Sequence, residues 1–378
     1  MTRVAGPLEV LFAIPALDQG GPDRVLFELI CSLDRRDFTP SLLVSEPGGH
    51  YLERLPTDVS VTVLGGGRSL LDRYPVVRAL RFIRRTKPDV VLATLRMTLT
   101  LGLAAPAFPR RTRLILRQAN DLTTDYADLV KRSLVKHRLA RQVTLATLRR
   151  ADAVVCQSEA MRHDLRAQLG DRARLHVISN PIDVERVAQA TRGEPTLLPG
   201  QPALISVGRL APQKGYDVLL PALALVRRTH PAVHLTILGD GPDRAALGAQ
   251  AQALDLARSI TFAGFTAHPL PAVRAADVFV LASRYEGFPN AALEALALGT
   301  PVVLTDCPGA NREIIEPGVN GRLASAVTPE AVARALEAAI ADGPRYDRAA
   351  IRADCEHRFG ARRIAGRYED MFRAVAEA

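Results

Sequence analysis

A chain of 378 residues exceeds what one hydrophobic core usually organises, so two domains are expected. Hydrophobic residues make up 48% of it, but aromatics only 5% with no Trp, which argues against a carbohydrate-binding module built on stacked rings. The formal net charge of +9 points to nucleic acid, an anionic membrane surface or phosphorylated substrates, and the lack of aromatics among the basic residues removes nucleic acid from that set.

Four scattered cysteines, Cys31, Cys156, Cys307 and Cys355, form neither a disulfide framework nor a zinc motif and fit a reducing compartment. Pro7 and Glu9 interrupt any apolar leader, so no signal peptide is expected. The apolar stretch 90–109 contains Arg96 and Pro106 and reads as strand, turn and short helix, not as a membrane span. A cytoplasmic protein follows as the expectation.

In chain order, strand-like runs fall at 8–14, 41–45, 59–64, 89–94, 113–117 and 153–156, each followed by a helical stretch. They resume at 203–208, 234–239, 260–264, 278–282 and 301–305. Such alternation predicts an α/β chain with parallel sheets covered on both faces. Arg192-Gly193-Glu194-Pro195 and Leu198-Pro199-Gly200 have linker character. The expected division is an N-terminal domain over 1–182, a linker over 183–202, a C-terminal domain over 203–351 and a helical tail over 352–378.

Motifs follow several strands, where open parallel sheets bind ligands. After the first come Gly20 and Gly21, a loop that lets a phosphate approach the start of a helix, or simply a tight turn. Residues 129–151 hold no acids but seven Lys and Arg. Val135, Leu139, Val143 and Ala146 recur there at helical spacing. A basic amphipathic helix over 131–150 suits an anionic membrane surface, and equally a solvated helix with one core-facing stripe. After 203–208 come Arg209 and Lys214, two cations placed for a diphosphate, with Gly215 near the next helix start. Gly239-Asp240-Gly241-Pro242 reads as turn chemistry, and the backbone at Gly264 offers an edge to a nucleotide base.

The stretch 283–303 is the most informative. Glu286 and Glu294 have seven residues between them, with the turn Gly287-Phe288-Pro289 among these and Asn290 placed to cap an Ala/Leu helix. Carboxylates beside a helix N-terminus suit a ligand with hydroxyls at one end and phosphates at the other. Taken alone, the two also fit a glycosidase-like acid/base pair. No D-x-D triplet, His/Cys cluster, G-x-x-x-x-G-K-[ST] or G-x-S-x-G motif is present.

In their order and spacing, Gly20-Gly21, Val207-Gly208-Arg209-Leu210 with Lys214-Gly215, Gly239-Asp240-Gly241-Pro242 and the glutamate pair resemble glycosyltransferase family 4. These are retaining GT-B enzymes, and the 283–310 stretch is most similar to bacterial members that build surface polysaccharide, lipopolysaccharide or lipid-linked glycans. The resemblance implies the GT-B fold, two Rossmann-like domains facing across a cleft. It implies transfer from a nucleotide diphosphate sugar, UDP-sugar before GDP-sugar, to a glycan or lipid-linked acceptor, with no metal and no other cofactor. By match, Arg209 and Lys214 neutralise the diphosphate, Glu294 takes the ribose hydroxyls, and Glu286 holds the transferred sugar. Gly287 and the backbone N–H groups of Phe288 and Asn290 join the donor site, as do Gly264, Gly20 and Gly21. The acceptor falls to residues 68–74, 94–98 and 117–126.

One position departs from the pattern. Many relatives carry a His where this chain has Ala119, so no proton acceptor is assigned by match; Asp121 and Asp125 are the nearby candidates, and the leaving phosphate oxygen is a third. The rival reading is a catalytically silent GT-B scaffold that binds nucleotide sugar at the inner face of the plasma membrane. An epimerase or a phosphorylase on the same fold ranks below both.

Overall fold

In the computed structural model, which describes residues 6–18, 20–65, 74–119, 134–171, 173–193 and 196–378 (backbone alone for 134–137), the apolar runs are strands of two parallel sheets. The first sheet holds β1 (Leu8–Ile14), β2 (Phe38–Val44), β3 (Ser60–Val63), β4 (Val90–Thr94), β5 (Arg113–Arg117), β6 (Ala153–Cys156) and β7 (Leu175–Val177). Their order is β3-β2-β1-β4-β5-β6-β7. The second holds β8 (Ala203–Val207), β9 (His234–Leu238), β10 (Ile260–Gly264), β11 (Val278–Leu281), β12 (Val302–Thr305) and β13 (Gly321–Ala324), ordered β10-β9-β8-β11-β12-β13. In the first sheet Phe12 lies opposite Leu42 and Leu92; in the second, Ile205 lies opposite Thr236 and Phe279.

Strands covered on both faces need apolar side chains at every position, and the period of two sorts them. Val10, Phe12 and Ile14 enter one core, while Leu11 and Ala13 enter the core on the other face. In the second sheet Val278 and Val280 face one core, Phe279 and Leu281 the other. Each fully buried Val, Leu, Ile or Phe among them contributes roughly 1.5–3 kcal/mol.

Two strands escape the sequence reading, β7 and β13. Both are short, and only partly buried. As sheet edges they lack the continuous apolar run that marks the inner strands.

The chain divides into one unit of Met1–Pro181 with Ala361–Ala378 and a second unit of Ile182–Gly360. The stretch expected as a linker falls inside the second unit. Asp183 caps a helix Val184–Gln189 by accepting the Arg186 N–H at 2.9 Å, and Val184 and Val187 enter that unit's core. The expected single tail over 352–378 is two helices, Arg348–Phe359 and Ala361–Glu377, parted at Gly360. The first buries Ile351, Cys355 and Phe359 in the second unit. The other buries Ile364, Tyr368 and Phe372 in the first unit. Amphipathic spacing looks the same to either core, so sequence pattern does not assign these helices to a domain.

The basic helix runs Leu134–Arg150 among the described residues. Its expected core stripe is displaced. Leu139 is 64% exposed, and the buried positions are Leu145, Thr147 and Leu148. Gly102 explains part of the seat: a Cβ there would lie 2.5 Å from Thr147 Cβ, so only glycine allows this approach. Among the described residues no helix is long and apolar enough to cross a membrane.

Candidate functional site

The strand order of the second sheet reverses between β8 and β11. Parallel sheets bind ligands outside the carboxyl ends at such a point. The chain leaving β8 carries Arg209, passes a 3-10 turn Pro212–Lys214, and enters the helix Tyr216–Thr229 through Gly215. Gly215 has φ 63°, and an added Cβ would stand 2.0 Å from Ala282 O at the end of β11. The two strand exits are therefore pressed together, and glycine is what permits it.

Hydrogen bonds then strap the exits. Arg284 N–H donates to Gln213 O at 2.8 Å, and Gln213 Nε2 donates to Tyr285 O at 3.1 Å. Arg284 grips Asp217 with both arms, Nη1 to Oδ1 at 2.8 Å and Nη2 to Oδ2 at 2.6 Å, and Nη1 also reaches Pro212 O. These bonds hold Asp217's carboxyl below its ordinary range. Spacing rules miss all of them, because the partners lie 67 to 72 residues apart.

The straps place Lys214 against Glu286. Lys214 Nζ donates to Glu286 Oε1 at 2.6 Å, and Ser283 Oγ donates to the same oxygen at 2.6 Å. Thr305 Oγ1 holds Ser283 O at 2.5 Å, and the Glu286 N–H donates to Pro308 O at 2.9 Å. Gly309, φ 120°, backs directly onto Glu286 O, where a Cβ would stand at 1.6 Å. Glu286 is 5% exposed. Its charge reaches its neighbours. Burial first, and Glu286 second, push the Cys307 thiol up to about 12. Tyr216 is likewise pushed up to about 12, chiefly by burial, while Ser206 at 3.4 Å pulls the other way.

Of the residues expected from sequence, Lys214 and Glu286 are in direct contact. Arg209 is exposed at the second residue beyond β8, and among the described residues its guanidinium has no ion-pair partner. Glu294 is half-buried on the second turn of the helix Asn290–Ala297. Asn290 is not that helix's cap: Pro289 holds the position, and the Asn290 N–H donates to Phe288 O at 2.9 Å. A ligand oxygen would compete for that N–H. Gly287 and Phe288 are buried, the Phe288 ring set edge-on to Phe359 at 5.9 Å. Gly264 ends the edge strand β10, and its carbonyl accepts the Gly239 N–H at 2.8 Å.

In the first unit, Gly20 and Gly21 do open a helix, Gly21–Ser32. Its N-terminus is already occupied by a carboxyl group of the same helix: Asp23 Oδ2 accepts the Gly20 N–H at 3.0 Å. Burial raises the Asp23 carboxyl, which favours its neutral form. Ala119 follows β5 and is half-buried. Asp121 and Asp125 lie outside the described residues. So do most of the expected acceptor residues. Of those that are described, Thr94, Met97, Arg117 and Gln118 are buried, Arg117 held by Asn180 Oδ1 at 2.5 Å and Thr94 Oγ1 at 3.5 Å. Among the described residues no group of three or more His, Cys, Asp or Glu converges as a metal site.

Comparison with known proteins gives two family models that divide the chain. Glycosyltransferase Family 4 matches residues 19–186 and Glycosyl transferases group 1 matches 188–354. A curated relative, the lipopolysaccharide core biosynthesis glycosyltransferase LpsE of Rhizobium meliloti (strain 1021), is 28% identical over 88% of this chain and 89% of its own. Glycogen synthase of Mycobacterium tuberculosis (strain ATCC 25618 / H37Rv) is 35% identical over 54% of this chain, which spans about half (49%) of that enzyme. Among solved structures, Anabaena HepE in complex with UDP aligns with TM-score 0.76 at 21% identity over 97% of this chain and 100% of its own. Sucrose-phosphate synthase from Thermosynechococcus elongatus aligns with TM-score 0.81 at 19% identity over 97% and 99%. At these identities the structural likeness carries the fold.

Proposed function

The chain belongs to glycosyltransferase family 4 and has the GT-B fold, and from that membership we propose that it transfers a sugar from a nucleotide diphosphate donor, with retention and without metal, to a glycan or lipid-linked acceptor of the cell envelope. The observation that carries the reading is the Lys214–Glu286–Ser283 contact at the β8/β11 switch point. Burying a carboxylate with one cation and one hydroxyl stabilises a fold poorly, since desolvation offsets the attraction. Such a pair in a ligand-binding position is better explained by chemistry.

Negative charge builds on the diphosphate as the glycosidic bond breaks. Lys214, fixed by Glu286, and the exposed Arg209 supply cations at that position without reorganisation, the role a metal has elsewhere. Glu286 in turn faces the sugar, and Glu294 the ribose. The proton from the incoming hydroxyl passes to Asp121, Asp125 or a leaving phosphate oxygen. UDP-sugar is the first donor to test, on the strength of the UDP held by HepE, and GDP-sugar the second. LpsE's name supports an acceptor in lipopolysaccharide or a related glycan. The exposed Leu139 next to the exposed Arg138 supports work at the anionic inner face of a membrane.

The test is transfer or donor hydrolysis by the purified protein in EDTA, with the product anomer read by NMR. Turnover with retained configuration is the expected result. Inversion, or dependence on added metal, contradicts the mechanism. Nucleoside diphosphate binding with no turnover of any donor turns the reading to a silent scaffold.

A further inference from the structure

We infer that a groove on the first unit, at the amino ends of β5 and β6, binds the phosphate of a lipid-linked phosphate ester. The groove has a volume of about 410 Å³ and is lined by residues of two kinds. Pro106, Phe108 and Pro109 are apolar; Arg110, Arg113, Arg150 and Asp152 are charged. β5 begins at Arg113 and β6 at Ala153, next to Asp152, so the groove sits at the end of the sheet opposite to where parallel strands bind reactants.

The charges in it do not balance. Asp152 is already committed: Oδ2 accepts the Leu114 N–H at 2.7 Å, and Oδ1 lies 3.5 Å from Arg113 Nη1. That leaves Arg110 and Arg150, both exposed, whose guanidinium groups have no ion-pair or hydrogen-bond partner among the described residues. Nearby arginines are engaged otherwise. Arg84 donates to Ala107 O at 3.0 Å, Arg111 to Lys87 O at 3.3 Å and Arg149 to Gln168 O at 3.1 Å. Thr112, buried in the same lining, has an Oγ1 with no partner.

Two unpaired guanidinium forks match the oxygens of a phosphate better than a carboxylate or a neutral sugar. The apolar residues beside them offer nothing to a free anion but suit the first carbons of an acyl or prenyl chain. Arg150 ends the helix that carries the exposed Leu139, so the groove continues the face proposed to meet the membrane. The inference refines that partner from a charged surface to one phosphate-bearing lipid, and it rests on the membrane reading, not on the transfer chemistry.

Calorimetric titration of the full chain with dihexanoyl phosphatidic acid, kept below its micelle concentration, tests it, with inorganic phosphate as the comparison. The lipid is expected to bind at least tenfold tighter than phosphate. Arg110→Gln and Arg150→Gln each weaken lipid binding about tenfold, the loss expected for one charge-assisted contact. Donor turnover, read on the same proteins, stays at the wild-type rate, which separates this result from any failure of the transferase reading. Equal binding of phosphate and lipid would overturn the lipid assignment, and unchanged lipid binding in both variants would overturn the site.

Discussion

Lys214 and Glu286 were legible as candidates because both fall in loops that leave strands, where parallel sheets bind ligands. Ser283 was not, although it donates to the same carboxylate oxygen as Lys214. A serine after a strand has no distinctive spacing, and only the folded turn shows what it holds. The energetics of this cluster make a prediction. Removing one member of a buried ion pair strands the other, at about 3 kcal/mol or more. Lys214→Met and Glu286→Gln are each expected to lower the unfolding free energy from urea melts by that amount, while the double variant recovers most of the loss. A double variant as unstable as the sum of the singles would mean the two do not act as a pair.

Among the elements, the inner strands were readable from their apolar runs, and the edges β7 and β13 were not, because half-buried edge residues carry no such run. The strap between the β8 and β11 exits was equally hidden. Arg284 and Asp217 lie 67 residues apart, and nothing in either neighbourhood marks them as partners. Arg284 holds Asp217's folded pKa below the unfolded value, so the pair's stabilisation is fully present above about pH 4. It is lost as pH falls through the lowered value. Because the pair is half exposed, its worth is about 0.5–1 kcal/mol. Arg284→Gln is expected to remove that acid-side dependence, seen in urea melts at pH 6 and pH 3. It should also raise the donor's KM, since Lys214 loses its positioning. An unchanged KM would leave the strap a purely structural role.

At the scale of the whole molecule, two α/β sheets and their approximate limits followed from strand–helix alternation. The assignment of the last helices did not. Gly360 divides them between units, and Phe372, in the final helix, packs edge-on to Phe12 of β1 and Phe38 of β2 in the first unit. Phe372→Ala is therefore expected to destabilise the first unit by about 3–5 kcal/mol, although it stands near the far end of the chain. Hydrogen exchange would show faster opening in β1 and β2 with the second sheet little changed. Equal loss of protection in both sheets would mean that the units unfold together.

The central claim is that a metal-free cation at the β8 exit stabilises the departing nucleotide. The measurement that reaches it most directly is the rate of nucleoside diphosphate release from a UDP-sugar in EDTA, with Lys214→Ala compared against wild type. The wild-type protein is expected to turn over, and the variant to be slower by about 100-fold or more, the loss typical of one preorganised charge at a reacting centre. Release at the wild-type rate from Lys214→Ala would contradict the assignment.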